Sequence, residues 1–270
     1  MNKFSYIIFK KSVLFLERYF FWPMSYFYGS QLMKELTPYD VKDFERKIRI
    51  GSNGDGGYVV PVNILPLAER VYSYGVGDNA DFEEDIFQKT GVPLRMYDHS
   101  IESAPVVDNK NVFFKKEGIA ERKYGSFNTF ENHIKENGDT NKKVLLKMDI
   151  EGNEWKVIDK IVESSWSNIV AIILEIHGLY RSERIPYYIK KLRRVNSRFT
   201  LVHIHGNNNT GLVDSSITYI GKKKIPSTLE LTFINNVLVK EKKIMPDSLP
   251  SKFDKPNIPY KNDIKLDFWK

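Results

Sequence analysis

Asp149, Glu151 and Glu154 crowd the end of an apolar run in VLLKMDIEGNEW, residues 144 to 155, with Gly152 among them. Carboxylates gathered in one place are costly unless a positive or hydrogen-bonding group faces them, so the junction is a candidate site. A second run, IVAIILEIHG, ends in Glu175 and His177, and a third, FTLVHIHGNN, carries His203 and His205. In a strand His203 and His205 share a face. With the first two runs as neighbouring strands, Asp149, His177 and one of these histidines converge. His177 or His205 can act as a base near neutral pH, with the carboxylate orienting it. Alternatively Asp149, His177 and His205 hold a divalent ion that lowers the pKa of a bound hydroxyl. Two imidazoles favour manganese, iron or zinc over oxygen-seeking magnesium. A plainer reading has Asp149 and Glu151 accepting backbone N–H bonds while the histidines satisfy one another. Glu154 is expected only to start a helix, its charge meeting the positive end of the dipole.

Two glycine-rich stretches suit ligand binding. In YGVGD, residues 74–78, Gly75 and Gly77 let backbone approach a ligand closely. Asp98 ends the next apolar run about twenty residues on, where a carboxylate accepts both hydroxyls of a ribose. This spacing serves any nucleoside cofactor and does not separate S-adenosylmethionine from NAD. Upstream, GSNGDGGYVVP places four glycines and Asp55 before an apolar stretch. It lacks the GK[ST] ending of a phosphate loop. An aspartate there suits a cationic group such as the amino group of a methionyl moiety, and a plain hairpin turn is the alternative.

The elements that must position these residues follow from periodicity. RVYSYGVG, PLRMYDHS, NVFFKKEG, VLLKMDIEG and IVAIILEIHG are short apolar runs ending in Gly, Asp, Glu or His, as expected of parallel strands buried on both faces. DFEEDIFQKT and NEWKVIDKIVES have helical spacing, with Asp81 and Asn153 available as caps. The alternation predicts a doubly wound α/β sheet with ligands outside the carboxyl ends of its strands. FTLVHIHGNNNTGLV and PSTLELTFINNVLV read as an antiparallel pair closing that sheet, an ending typical of class I methyltransferases rather than of dehydrogenases.

The expected organisation is an amphipathic segment over 1–35, one main domain over 36–240 and a surface tail over 241–270 that wraps or frays. In the first thirty residues Lys3, Lys10 and Glu17, with Lys11 and Arg18, recur at seven-residue spacing, one narrow stripe on a helix. The segment fits neither a secretory signal nor a membrane span. It reads as a helix packed on protein or, aided by Trp22, as one lying on a membrane surface. The absence of cysteine excludes disulfide scaffolds, thiolate zinc sites and cysteine nucleophiles. It is compatible with a cytoplasmic setting, and the amphipathic segment would place the protein peripherally at the inner face of the membrane. The net charge of +7 favours an anionic partner. Nucleic acid is not expected, because aromatic residues are not interleaved with the basic runs KKLRR and KKK.

The ordered set RIGSNGDGGYVV, YSYGVGD, RMYDHSIE, FFKKEGIA, LLKMDIEGNEW, ILEIHGL, LVHIHGNN and LELTFI resembles the FkbM-type family of S-adenosylmethionine-dependent methyltransferases over roughly residues 48 to 235. The resemblance implies a class I, Rossmann-like sheet, mostly parallel with a reversed final strand and flanked by helices. It implies methyl transfer to a hydroxyl of a sugar, in a surface polysaccharide or a nucleotide- or lipid-linked glycan. Carried over by position, Gly75, Gly77, Asp98, Glu117 and Gly118 would bind S-adenosylmethionine, with Asp55, Gly56, Gly57 and Tyr58 closing over its methionine end. Manganese or magnesium at Asp149, His177 and His205 would be a second cofactor. YGVGD departs from the commoner acidic-x-Gly-x-Gly turn of this fold. A nicotinamide-dependent oxidoreductase shares the glycine turn and Asp98 but needs a third glycine that is missing. A non-catalytic membrane adaptor leaves DIEG, EIHG and HIHGNN without a purpose.

Overall fold

The structure, a computed structural model, describes residues 27–105, 109–179, 181–209, 217–220 and 223–270. A helix over 27–35 (α1) leads into β1 (Tyr39–Val41) and the hairpin β2 (Lys47–Gly51) and β3 (Gly57–Pro61). Then come β4 (Arg70–Tyr74), α2 (Asp81–Thr90), β5 (Leu94–Tyr97), β6 (Val112–Lys115), β7 (Gly118–Ile119), β8 (Phe127–Asn128) and α3 (Phe130–Glu136). The second half holds β9 (Val144–Met148), α4 (Glu154–Ser164), β10 (Ile169–Ile176), α5 (Ile185–Asn196) and β11 (Phe199–Gly206). It ends with β12 (Ile217–Ile220), β13 (Lys223–Pro226), β14 (Leu229–Asn235) and β15 (Lys242–Ile244).

Seven strands form the central sheet in the order β11, β14, β10, β9, β4, β5, β6. β4, β5, β6, β9 and β10 pair in parallel, and β14 runs antiparallel to both β10 and β11. This is the α/β sheet with a reversed final strand that the sequence predicts. Every residue of β9, β10, β11 and β14 is buried, which is why these runs show no polar alternation. The two-residue period instead sorts side chains between two cores. Tyr72, Leu146, Ile172 and Leu174 face Trp155 and Ile158 of α4, Leu192 of α5 and Leu32 of α1. Val71, Leu145, Ala171 and Ile173 face Ile50 and Tyr58 of the β2–β3 hairpin and Phe82 and Ile86 of α2. Burying each such aliphatic side chain contributes about 1.5–3 kcal/mol.

The helices start differently from expectation. Asp81 is the first residue of α2, not its cap, and its N–H is accepted by Asn79 Oδ1 at 3.0 Å. Asn153 occupies the cap position of α4 without a side-chain capping bond. The tail does not fray: β15 pairs with β1, and Met245, Leu249, Leu266 and Phe268 enter the core. Trp22 and most of the amphipathic segment lie outside the described residues. Among the described residues, no helix is long and apolar enough to cross a membrane. Three of the four cations of KKLRR are spent on α5's surroundings: Lys191 and Arg194 pair with Asp159, and Arg193 pairs with Glu35.

Candidate functional site

Strand order reverses at β4, whose neighbours are β5 on one side and β9 on the other. Outside the carboxyl ends of these strands lies a cleft walled by Gly75, Asp98, Gly118, Phe127, Asp149 and Glu151. It encloses about 570 Å3, counting the part open to solvent.

One end of the cleft gathers two glycines and a buried carboxylate. Gly75 and Gly77 both adopt left-handed backbone, with φ of +76° and +61°, but for different reasons. A Cβ on Gly75 would lie 1.5 Å from the carbonyl oxygen of Asp149, so this glycine lets the ends of β4 and β9 touch. A Cβ on Gly77 would meet nothing within 4 Å. Asp98, buried, accepts the Gly77 N–H (2.9 Å) on one oxygen and the Ser100 N–H (2.7 Å) and hydroxyl (2.6 Å) on the other. Burial alone would raise its pKa, but these hydrogen bonds outweigh it and hold the carboxyl below its usual value. Beneath the turn, Lys147 is buried, donates to the Gly75 carbonyl (2.6 Å) and lies 3.8 Å from Glu83. Glu83 in turn accepts the Ser73 hydroxyl.

At the other end, D-I-E-G-N-E-W acts as a clamp. Glu154, fully buried, accepts the N–H groups of Ile150 (3.1 Å) and Gly152 (2.9 Å) and the Nδ1–H of His177 (3.1 Å). Trp155 Nε1 donates to the His177 carbonyl at 2.9 Å. Glu154 and Trp155 therefore fix the backbone turn and orient the imidazole, roles that sequence reading missed. The available signal was a carboxylate two residues after a glycine at a strand–helix junction, where the orphan N–H groups gather. Glu151 holds a φ of +55°, a conformation uncommon for a side-chain-bearing residue. Its carboxylate, 86% exposed, lies 3.6 Å from His177 Nε2. Although burial opposes it, contact with Glu154 and the charges of Asp149 and Glu151 raise the His177 pKa. Asp149 accepts from the Tyr58 hydroxyl on Oδ2 (3.3 Å), while its Oδ1 is buried with no partner. Burial pushes the Asp149 carboxyl up to about 6, Lys147 and His177 opposing and Glu151 and Glu154 adding to the rise. Burial, reinforced by Asp149, likewise keeps the Tyr58 phenol protonated and so a donor.

Three expected placements differ. His205 does not join Asp149 and His177. Its Nδ1 is 2.9 Å from Glu230 and its Nε2 is 3.0 Å from Asp263, so neither nitrogen is left for a metal or a proton. Burial would lower its pKa, but these carboxylates, Glu230 foremost, push it up to about 10. His203 is likewise held by Asp254 at 2.8 Å. Glu117 is absent from the cleft walls: β6 ends at Lys115, and the Glu117 carboxylate turns to His133 (2.9 Å) and Lys115 (2.7 Å). Asp55, Gly56 and Gly57 belong to the β2–β3 hairpin and also stand off the walls, which this hairpin reaches only through Tyr58 on Asp149. For His205 the folded pKa is raised, so the stability it brings is full below about 6.5 and lost as pH rises through about 10. A His205→Gln variant is expected to melt below wild type at pH 7, and the gap should close toward pH 10 in thermal melts across that range.

No curated protein matches the chain. Residues 39–199, more than half of it, match the methyltransferase FkbM domain. The match includes the glycine turn, Asp98, the D-I-E-G-N-E-W clamp and His177, and the sheet supplies their common edge. The chain therefore belongs to the FkbM-type methyltransferase family.

Proposed function

We propose that the protein is an S-adenosylmethionine-dependent O-methyltransferase acting on a sugar hydroxyl of a surface polysaccharide or lipid-linked glycan. The observation that carries this reading is the unpartnered Asp149 Oδ1, buried at the cleft wall across from the Asp98 and Gly77 end. The cleft suits the cofactor: Asp98 offers a preoriented carboxylate to a ribose, and the open space beside Gly77 leaves room for a chain beyond it. When bound, S-adenosylmethionine supplies an electrophilic methyl group on a sulfonium. The protein's part is to align the acceptor and take up its proton. Asp149 Oδ1 receives that proton. A pKa near 6 leaves this carboxylate largely ionised at neutral pH yet more basic than an ordinary aspartate. Tyr58 holds the other oxygen, and Glu154 fixes the orientation of neighbouring His177. The family's reaction and the polar groups that line the cleft beside Asp149, namely Glu151 and Asn153, support a polyhydroxylated acceptor. A membrane-held acceptor would match the composition of residues 1–30.

Calorimetric titration with S-adenosylhomocysteine and, separately, NAD tests the cofactor. Binding of the homocysteine nucleoside alone is expected, and binding of NAD instead would overturn the reading. Asp98→Ala is expected to weaken that binding by about 1.5–3 kcal/mol, roughly 10- to 100-fold, since it removes bonds to a charged acceptor.

A second reading rests on a different observation. Ligand atoms of Asp149, Glu151 and His177 lie within 4.8 Å of one another, and Glu154 holds the far nitrogen of His177 as outer carboxylates hold metal-bound histidines. The trio, with Glu151 where His205 was expected, would hold manganese. A rate that rises with added manganese in wild type, and does not in His177→Ala, would select this reading over direct proton removal by Asp149.

A further inference from the structure

β9 is the central strand of the sheet and is buried along its whole length, yet its fourth residue is Lys147, a cation only 4% exposed. Burying a charge is costly unless it is closely paired. Its carboxylate partner, Glu83 of α2, stands 3.8 Å away, beyond hydrogen-bond reach, and already accepts the Ser73 hydroxyl. The Tyr58 ring covers the ammonium from the hairpin side, 5.8 Å from ring centre to nitrogen. The short contact of Lys147 is with a neutral group, the Gly75 carbonyl at 2.6 Å. An ion pair with Glu83 does not account for that geometry. A trans peptide sends its C=O and its N–H in opposite directions. The oxygen of the Gly75–Val76 peptide points to Lys147 beneath the turn, so the Val76 N–H points the other way, where it faces the Asp98 carboxylate. The next N–H, from Gly77, bonds Asp98 Oδ2 at 2.9 Å. Turned over, the same peptide would aim its carbonyl oxygen at Asp98 and repel it. Gly75, having no Cβ, does not by itself resist such a turn.

We propose that Lys147 is a positioning residue for the cofactor end of the cleft: it holds the Gly75 carbonyl beneath the turn and so directs two successive backbone N–H groups onto Asp98, orienting that carboxylate toward a ribose. The inference rests on the reading of Asp98 as the ribose ligand. Lys147 is itself absent from the cleft walls and acts through a single peptide plane. The identity of the methyl acceptor does not enter.

A double-mutant cycle on the full chain, with S-adenosylhomocysteine as probe and calorimetry as readout, tests the assignment. Lys147→Met keeps the length of the side chain and removes its charge. It should weaken binding about tenfold, the lower end of the range expected of Asp98→Ala. In an Asp98→Ala background the same change should cost less than about twofold, because the route from Lys147 to the ligand is already cut. Losses that multiply across the two sites, or no loss from Lys147→Met, overturn the proposal. Lys147→Met combined with Glu83→Gln removes both buried charges and takes the place of the single variant if that one unfolds. The amide protons of Val76 and Gly77 supply a readout that needs no ligand. Both should shift upfield in Lys147→Met as they lose the carboxylate, and unmoved resonances overturn the proposal. If wild type binds no S-adenosylhomocysteine, the reading of Asp98 fails, and the amide shifts alone decide whether Lys147 sets the turn.

Discussion

An Asp149→Asn variant is expected to lose about 100- to 10,000-fold in methyl-transfer rate, the range a positioned general base supplies, while retaining its affinity for S-adenosylhomocysteine. Single-turnover rates and calorimetry on the same preparation separate the two effects. In wild type the rate should climb as pH rises through about 6, because Asp149 must be ionised to accept a proton and burial has raised its pKa to that value. The variant should show no such limb. Its stability should move the other way. A carboxyl whose folded pKa is raised contributes stability below its unfolded value near 4 and loses it as pH rises through about 6. At pH 8 wild type therefore carries a buried charge that asparagine does not. The variant should melt higher than wild type at pH 8, by on the order of 1 kcal/mol, and the difference should shrink toward pH 4. A variant both inactive and less stable at pH 8 would point to Asp149 holding the turn together rather than acting on a substrate.

Gly75→Ala is expected to have the largest effect on stability. The left-handed backbone costs a side-chain-bearing residue about 1–3 kcal/mol. The new methyl would also lie 1.5 Å from the Asp149 carbonyl, an atom that cannot rotate away because it belongs to the backbone leaving β9. Relief requires β4 and β9 to part at the cleft. Thermal melts should show a large fall, and any folded protein should fail to bind the nucleoside. Gly77→Ala is the control: its backbone is also left-handed, but its Cβ meets open space. It should cost only the backbone term of about 1–2 kcal/mol and leave a folded chain. If both alanines melted alike, the close approach of Gly75 to Asp149 would not be the reason for that glycine.

The pairing of Asp149 with His177 was legible because it rests on local rules. Apolar runs without alternation mark parallel strands, their carboxyl ends form one edge, and one α-helix, α4, lies between β9 and β10. The same rules placed Gly75 and Asp98. They could not place His205. Its position on β11 predicts its face, but its partners come from β14 and from Asp263 in an aperiodic polar segment. No spacing within HIHGNN announces them. Glu117 failed for another reason. FFKKEG reads as one strand, whereas the chain ends β6 at Lys115, and the carboxylate is taken by His133, a residue whose helix carried no chemical signal. Glu154 was undervalued because a helix-starting glutamate satisfies a general electrostatic rule. Only the folded turn shows it serving two backbone N–H groups and an imidazole at once.

The position of β14 between β10 and β11 governs how the chain can be made. β11 has one sheet neighbour, and that neighbour is β14, which leaves the ribosome later. A growing chain that stops before residue 229 thus presents eight residues of apolar strand with nothing to pair, beside an open edge on β10. Unpaired edges of this kind invite association. The sheet is completed from within, by insertion of a late strand between two that already exist.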